Sequence, residues 1–279
     1  MIYPATRDSR LASIKKHPSD RLTESIDNKI MNDDELLRYN RQIMLPQIDI
    51  DGQQKLMDAK VLIVGIGGLG SPASLYLASA GVGHLTLVDD DVVELSNLQR
   101  QIIHHDENIG DEKVRSAKHN LLKHNPLTNI TTIGKRLDSA SLQQQVIQAD
   151  IVLDATDNFE SRYLINHACV TNNTPLVSGA AIRFEGQVCV FTNRKNDPCY
   201  NCLYPNTGDI FEETCSENGI LSPVVGVIGC MQAIECIKLI CGIGEPLAGR
   251  LLVFDGLAAE WRTVRFKKDN ACPICNGAT

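Results

Sequence analysis

One stretch constrains the fold of this chain more than any other: the sequence GIGGLG at 65–70, set between an apolar run and a helical pattern. The apolar run covers Lys60 to Val64, the helical pattern covers Ser71 to Ala80, and a second apolar run, Leu85 to Val88, ends at Asp89. Glycines let the backbone turn tightly and approach a phosphate, while a carboxylate after the second strand can accept a hydrogen bond from a ribose hydroxyl. The stretch therefore predicts a βαβ unit that binds a nucleotide.

The same alternation of strand and helix continues beyond this unit. The apolar patterns predict helices and strands at Glu112 to Lys123, Ile130 to Ile133, Leu142 to Ala149, Ile151 to Leu153, Pro175 to Ser178 and Gln187 to Phe191. Such alternation gives an α/β fold with a mainly parallel, doubly wound, Rossmann-like sheet. Two later runs, near Leu251 to Phe254 and Arg262 to Phe266, predict a C-terminal extension of that sheet.

Chain length and polarity predict one large domain after a short extension. The chain has 279 residues, near the upper size for one core, and its first 30 residues are polar without an apolar run. We therefore predict an N-terminal extension at 1–30 and a single domain at 31–279, whose first helix starts at the N-cap residue Asn32. The extension does not read as a secretory signal, which favours a cytoplasmic protein.

Charge and apolar content limit the classes of partner. The longest apolar stretch, Val224 to Cys241, is interrupted by Gln232, Glu235 and Lys238, so we predict a buried helix rather than a membrane span. The formal charge of −7 argues against nucleic-acid binding, which usually requires a basic surface. A small protein partner is compatible with this charge.

Polar residues downstream of the glycine-rich turn bear on which nucleotide is bound. The turn alone is commonest in NAD-dependent oxidoreductases. Arg100 and Lys113 add two cations, however, and Asp157 adds a carboxylate, each after a successive element of the sheet. A triphosphate needs neutralisation of its charge and a hard divalent cation. The combination favours ATP with Mg²⁺, with an NAD(P)-dependent oxidoreductase and a non-catalytic scaffold as the alternatives.

Six motifs taken together resemble one family. They are RYNRQI at 38–43, GIGGLGSPAS at 65–74, DDD at 89–91, LSNLQRQ at 95–101, DATDN at 154–158 and CPIC at 272–275. The motifs are similar to those of the enzymes that activate the sulfur carriers of molybdopterin and thiamine synthesis, the MoeB/ThiF/HesA family within the ubiquitin-activating superfamily. The resemblance covers residues 32–275.

The resemblance implies a function and a set of site residues. The function is adenylation of the C-terminal carboxylate of a small ubiquitin-like sulfur carrier that ends in Gly-Gly. The implied nucleotide-binding set is Gly68, Asp89, Ser96, Asn97, Leu98, Gln99, Arg100, Lys113, Asp157 and Asn158. Within it, Arg100 and Lys113 would handle the phosphates and Asp157 would hold Mg²⁺. Arg41 would reach into the active site of the other subunit of a homodimer.

Two C-x-x-C pairs predict a metal site. Cys199 and Cys202 form one pair, and Cys272 and Cys275 form the other. Four thiolates from paired turns suit tetrahedral Zn²⁺ in a closed, structural site. The site would attach the C-terminal tail to the irregular segment that begins at Cys199.

A further cysteine, Cys215, lies in a polar stretch where a thiol would be exposed. In some relatives a cysteine here forms a covalent sulfur link to the carrier, whereas an acidic neighbourhood weakens a thiol as a nucleophile. Both interpretations stay open. The remaining cysteines lie in apolar patterns that are typical of a core.

The motifs give conflicting indications of which carrier is the substrate. The sequence SGAAIRFEGQ at 178–187 looks more like the molybdopterin branch, whereas DGQQKL at 51–56 and Trp261-Arg262 look more like the thiamine branch. The molybdopterin-synthase small subunit is the favoured carrier and the thiamine carrier is the alternative.

Overall fold

Residues 31–206 and 219–276, which a computed structural model describes, contain one eight-stranded sheet with helices packed against it. The strands are β1 (Lys60–Val64), β2 (His84–Val88), β3 (Asn129–Ile133), β4 (Ile151–Asp154), β5 (Leu176–Ile182), β6 (Glu185–Phe191), β7 (Arg250–Asp255) and β8 (Glu260–Arg265). The helices are α1 (Asp33–Ile43), α2 (Asp49–Asp58), α3 (Gly70–Ser79), α4 (Lys113–His124), α5 (Ser139–Gln148), α6 (Phe159–Asn172), α7 (Tyr200–Leu203) and α8 (Ser222–Cys241).

The sheet has a parallel part and an antiparallel part. Its order is β3-β2-β1-β4-β5-β6-β7-β8, and the first five strands in that order run parallel. The pairings of β5 with β6, β6 with β7 and β7 with β8 are antiparallel. The predicted Rossmann-like sheet with a C-terminal extension is therefore confirmed.

Both faces of the parallel part are buried. Along β1, Val61 and Ile63 pack into one apolar cluster, whereas Leu62 between them packs into another on the opposite face. Side chains alternate between the faces of a strand, so a continuous apolar run needs helices on both sides. This requirement explains why the run Lys60 to Val64 lies in the middle of the sheet.

The long helix α8 is part of the fold's interior. By length and composition alone it could cross a membrane, yet half of its apolar stretch is buried against other elements of the protein, among them α3, β5 and β6. Gln232 donates to the carbonyl oxygen of Asp154 at 2.7 Å, and Glu235 accepts the N–H of Leu247 at 2.8 Å. The polar residues that interrupt the apolar stretch thus form buried hydrogen bonds.

Apart from shifts of about one to three residues at the ends of other elements, the structure differs from the predicted elements in three places. Helix α6 was not predicted, β5 continues beyond Ser178 to Ile182, and a short helix, α7, lies within the segment predicted as irregular. The predicted N-cap of α1 is confirmed, because Asn32 and Glu35 exchange backbone-to-side-chain hydrogen bonds of 2.9 and 3.0 Å. The predicted boundary between extension and domain stays a prediction.

Candidate nucleotide and metal sites

The carboxyl ends of β1, β2 and β4 open onto one cavity of about 580 Å³. Ligands of open α/β sheets bind at this edge, where the strand order reverses. Here the reversal lies between β1 and β4. Seven members of the predicted nucleotide-binding set line the cavity: Gly68, Asp89, Asn97, Arg100, Lys113, Asp157 and Asn158.

Two glycines of the turn after β1 leave no room for a side chain. Gly65 has a φ of +91°, and a Cβ there would lie 2.7 Å from the carbonyl oxygen of Ala155. A Cβ on Gly70 would lie 2.0 Å from the carbonyl oxygen of Gly65. The turn therefore packs against itself and against the end of β4, and it brings the backbone of Gly67 and Gly68 to the cavity wall.

Side chains hold the peptide groups on both sides of Ile66. Its N–H donates to Asp89 Oδ2 at 2.7 Å, and its carbonyl oxygen lies 3.2 Å from His104 Nε2. Burial lowers the pKa of His104 to about 4, so the imidazole is neutral near pH 7. A carbonyl oxygen can only accept, so Nε2 carries the proton and the Ser116 hydroxyl donates to Nδ1 at 2.8 Å.

The ammonium group of Lys113 lies near two carboxylates at the cavity, those of Asp89 and Asp91. Asp89 accepts a second backbone N–H, that of Asp91, at 2.9 Å. Burial raises the pKa of Asp89, and the positive charge of Lys113 offsets part of that rise. Lys113 is 6% exposed and its Nζ lies 2.7 Å from Oδ2 of Asp91, a largely exposed side chain. Because Asp91 stays in water, Lys113 can exchange this partner for a phosphate oxygen.

The loop after β2 presents Asn97 and Arg100. Asn97 is buried and its Oδ1 accepts the N–H of Glu94 at 3.2 Å. The Arg100 guanidinium donates to the carbonyl oxygen of Ser96 at 3.0 Å, which holds the side chain along the loop. Three members of the predicted set lie outside the cavity lining: Ser96, Leu98 and Gln99.

Buried hydrogen bonds fix the loop after β4. Asp154 is fully buried and accepts both the N–H and the hydroxyl of Thr156, at 3.0 and 2.6 Å. Asn158 Oδ1 accepts a backbone N–H in the first turn of α6 at 2.9 Å, so this side chain caps the helix. Asp157, between these two anchors, is exposed and lines the cavity. The loop can therefore present a carboxylate oxygen to a cation.

Sequence reasoning missed several lining residues. They come from the loop after β3, from α6, from the loop after β2 and from the β5–β6 hairpin, and include Lys135, Arg136, Leu137, Phe159, Arg162, Ile165, Gln101, Ala180, Ala181, Gly186 and Gln187. Gln101 belongs to a quoted motif, as the last letter of LSNLQRQ, and the hairpin residues lie in SGAAIRFEGQ at 178–187, which was interpreted only for the choice of carrier. The others reach the cavity through the order of the strands, which local patterns do not contain.

One of the predicted catalytic residues lies away from the cavity. Arg41 is exposed on α1 and does not line the cavity of its own chain. Leu37 and Met44 lie one turn on either side of it and are 72% and 69% exposed. Positions three and four apart share a helix face, so Arg41 lies between these two exposed apolar side chains.

Four cysteines from two distant parts of the chain meet. The Sγ atoms of Cys199, Cys202, Cys272 and Cys275 all lie within 4.8 Å of one another. The Sγ–Sγ distances are 3.7 Å for Cys199–Cys272 and 3.5 Å for Cys202–Cys275. Tetrahedral zinc with Zn–S bonds of about 2.3 Å separates its sulfur ligands by about 3.8 Å. The four thiols thus fit a closed zinc site.

The groups around the cysteines act in both directions. Burial raises the pKa of Cys199 to about 11 and also raises that of Cys275, whereas Cys272 has donors that favour its thiolate. Burial raises the pKa of Cys272, but hydrogen bonds from the backbone N–H groups of Cys275 and Ile274 outweigh it and lower the pKa to about 7. Asn201 Nδ2 also donates to Cys272 Sγ, at 3.5 Å. Such surrounding donors orient metal ligands and stabilise their charge.

The predicted roles of the other cysteines divide into two groups. Cys215 lies outside the described residues, so both interpretations of it stay predictions. Burial confirms the core positions of Cys169, Cys189, Cys236 and Cys241, whereas Cys230 is partly exposed.

Three comparisons with known proteins agree with this geometry. The model of the ThiF family matches residues 39–274. The sequence is 48% identical over 248 residues to the molybdopterin-synthase adenylyltransferase of Escherichia coli strain K12, covering 88% of this chain and 98% of the relative. It is also 48% identical over 248 residues to the sulfur carrier protein ThiS adenylyltransferase of the same organism, covering 89% of this chain and 98% of the relative.

Among solved structures, the fold is similar to that of E. coli MccB with ATP. The TM-score is 0.74 at 26% sequence identity, and the match covers 88% of this chain and 75% of that one.

Proposed function

This chain belongs to the ThiF family, and on that premise we propose that it uses ATP to adenylate the C-terminal carboxylate of a small ubiquitin-like sulfur carrier. The observation that carries the proposal is the cavity, where a glycine-rich turn, two cationic side chains and an exposed carboxylate meet at the switch point of the sheet. Relatives that are 48% identical over nearly their whole length are named adenylyltransferases.

The proposed reaction needs positioning and charge more than proton transfer. The carrier's carboxylate attacks the α-phosphorus of ATP, an O–P bond forms, the bond to the β-phosphate oxygen breaks, and pyrophosphate leaves with its electron pair. The attacking carboxylate is already ionised at neutral pH, so no general base is required. Arg100 and Lys113 would stabilise negative charge on the phosphates.

Magnesium would be held by Asp157, whose exposed carboxylate lies on the cavity wall between two fixed residues. Bound there, Mg²⁺ would neutralise phosphate charge, a task for which it prefers oxygen ligands. The four cysteines would hold one structural zinc ion, which supplies no open coordination position for chemistry.

The carrier's tail would enter along the far part of the cavity. Beyond the glycine-rich turn the wall consists largely of the β5–β6 hairpin, with the small residues Ala180, Ala181 and Gly186. An extended chain that ends in small residues fits between such a wall and the nucleotide. The C-terminal carboxylate of the carrier would thus arrive next to Gly67 and Gly68.

We further propose that the active enzyme is a homodimer whose subunits exchange Arg41. The exposed side chains of Leu37 and Met44 beside Arg41 on α1 support this, since exposed apolar side chains that lie together occur at interfaces. The test mixes two inactive variants, Arg41→Ala and Lys113→Ala. A mixed dimer then contains one site with both residues, so activity should return; if Arg41 acted within its own chain, mixing would restore none.

The choice of carrier is a separate proposal. The hairpin sequence 178–187 favours the molybdopterin-synthase small subunit, and the thiamine carrier is the second candidate because both relatives are equally identical to this chain. Both pathways are consistent with a cytoplasmic enzyme.

The experiment is carrier-dependent exchange of labelled pyrophosphate into ATP in the presence of Mg²⁺, with each carrier offered separately. Exchange with one carrier only would establish the reaction and identify the substrate. Absence of exchange with both, using folded enzyme that contains zinc, would contradict the proposed function. NADH fluorescence on mixing distinguishes the oxidoreductase alternative, since only that enzyme should bind the dinucleotide.

A further inference from the structure

The side-chain amide of Gln101 lies unpaired in the cavity wall. Gln101 is 3% exposed and lines the cavity, yet its buried Oε1 forms no hydrogen bond within residues 31–206 and 219–276. Leaving a buried amide oxygen without a partner lowers the stability of the folded protein. Buried polar side chains are usually paired, so an exception beside a ligand cavity indicates a contact completed by the ligand.

The amide faces the glycine-rich turn. A Cβ placed on Gly67 would lie 3.7 Å from Gln101 Nε2, so the amide nitrogen is next to the backbone of Gly67. The N–H of Gly67 has no hydrogen-bond acceptor in the described part of the chain. This N–H belongs to the same peptide group as the carbonyl of Ile66, which His104 holds. The N–H is therefore fixed in direction, and two adjacent donors are available to one ligand.

The chemistry of an amide narrows what that ligand can be. Nε2 can only donate and Oε1 can only accept, so the ligand must offer an acceptor and a donor a short distance apart. Phosphate oxygens offer the acceptor, and backbone N–H groups at a glycine-rich turn are well suited to bind them. A peptide bond offers the donor. Both occur together where a peptide carboxylate meets the α-phosphate of a nucleotide.

We propose that Gln101 is a substrate-binding residue at the junction of the two substrates. Its Nε2, together with the N–H of Gly67, donates to an oxygen of the α-phosphate, and its Oε1 accepts the N–H of the last peptide bond of the carrier. The inference rests on the proposed function. Because the amide of Gln101 is neutral, it neutralises no phosphate charge. Its role is to align the carrier's carboxylate with the α-phosphorus.

The first test replaces Gln101 with residues of similar size. Gln101→Met removes both hydrogen bonds, and Gln101→Glu keeps an acceptor but loses the donor. We expect kcat/KM for carrier-dependent pyrophosphate exchange to fall at least about tenfold in both, the size expected for lost hydrogen bonds to a charged group. Gln144→Met, at an exposed position of α5, is the matched control and should exchange like the unmodified enzyme.

Thermal unfolding separates substrate binding from a structural role. If Gln101 served only the fold, Gln101→Met would lower the melting temperature. Since its amide is unpaired in the free protein, the proposal expects an unchanged or higher melting temperature together with the lost activity. A lower melting temperature with unchanged kcat/KM would overturn it.

The second test removes the donor from the substrate. A carrier whose last peptide bond is replaced by an ester lacks the N–H that Oε1 would accept. The unmodified enzyme should lose activity on this carrier, whereas Gln101→Met should show little additional loss, because the two changes remove the same contact. Fully additive losses would contradict the contact.

The outcomes also separate this inference from the function it rests on. If the unmodified enzyme catalyses no exchange with either carrier, the proposed function fails. If it catalyses exchange and Gln101→Met does so equally well, the function stands and the role of Gln101 is wrong.

Discussion

Single residues in this protein do two different things at the cavity: some can touch a ligand, and others hold the backbone that does. Lys113 belongs to the first kind, because its ammonium lines the cavity and has only an exposed carboxylate as partner. His104 belongs to the second, since it contacts Ile66 and Ser116. The two kinds predict different responses to substitution.

Loss of Lys113 should affect catalysis more than stability. Lys113→Ala removes a positive charge that the phosphates would need, and losing one preorganised group that stabilises transition-state charge typically costs about 10²–10³ in kcat. Asp91, its ion-pair partner, stays in water, so loss of this pair should lower the free energy of unfolding less than loss of a fully buried pair would. Pyrophosphate exchange and thermal unfolding measure both effects, with Lys118→Ala on the same helix as the control. A large fall in melting temperature for Lys113→Ala alone would contradict this division.

His104 should make stability depend on pH. Its pKa is lowered to about 4 by burial, below the ordinary 6.5, so the unfolded chain binds more protons between those values. The contribution of His104 to the free energy of unfolding is therefore complete above about pH 6.5 and is lost as pH falls towards 4. This contribution amounts to about 3 kcal/mol at most. Gln keeps a donor for Ile66 but does not titrate.

The predicted effect of His104 on the pH dependence of stability can be tested by urea unfolding. The unmodified protein and His104→Gln are compared between pH 7 and pH 4. The stability difference between the two should change in favour of the variant as pH falls. Parallel pH profiles would show that His104 does not carry the effect.

At this scale the sequence predicted the residues that motifs contain and missed those that chain topology supplies. Asp89 ends the second strand of the βαβ unit and could be placed at the cavity from that pattern, whereas Lys113 starts α4 and its role came from the family resemblance. Lys135 follows β3, but nothing in its neighbourhood shows that β3 lies on the nucleotide side of the sheet. Gln101 was visible in a motif, yet its burial without a partner is a property of the folded chain only.

At the scale of elements, α6 connects the two candidate sites. Its N-terminus begins at Asn158 beside the cavity, and Asn166 farther along the helix contacts Cys199 with its amide group at 3.7 Å. The sequence did not predict α6 because its apolar residues do not form one clean face: the helix packs against α5, α7 and β4. The capping signal at Asn158 was available, but its side chain was interpreted as a nucleotide contact.

The cap of α6 should matter for both stability and nucleotide binding. Asn158→Ala removes the acceptor for the first turn and should lower the free energy of unfolding by about 1 kcal/mol. Because Asp157 is the preceding residue, affinity for Mg²⁺ and ATP should fall as well. Asp138→Ala removes the equivalent cap of α5 and should lower stability by a similar amount.

Titration with Mg²⁺ and ATP distinguishes the two capping variants. Only Asn158→Ala should bind more weakly. Equal affinities would mean that the cap does not position Asp157.

At the scale of the whole molecule, the cysteine cluster joins the C-terminal tail to the middle of the chain. Cys272 and Cys275 lie beyond the last strand, while Cys199 and Cys202 lie at α7. Both cysteine pairs were recognisable in the sequence because the spacing C-x-x-C is local. The structure brings the two pairs together as predicted. What the sequence could not supply is the surrounding shell, for example Asn201, whose donor role depends on the fold.

Removing the metal should loosen this connection. We expect one zinc ion per chain by metal analysis, and Cys272→Ser should lose most of it, because a hydroxyl replaces a thiolate ligand. Metal binding contributes directly to folding free energy, so the melting temperature should fall clearly on chelation. Cys169→Ser, at a buried cysteine that is not one of the four clustered ones, should keep its zinc. Full zinc content in Cys272→Ser would contradict the assignment.

The change from parallel to antiparallel pairing at β5 has a consequence for how such a protein can diversify. The nucleotide edge is built by the parallel strands, whereas the wall beside β6 and β7 is antiparallel and ends in an exposed edge strand, β8. Strand β8 pairs with the sheet through β7 alone, so substitutions on its exposed side chains leave the pairing of the parallel strands unchanged. The surface that a partner would meet at this margin of the sheet can therefore change without a change in the edge that lines the nucleotide cavity.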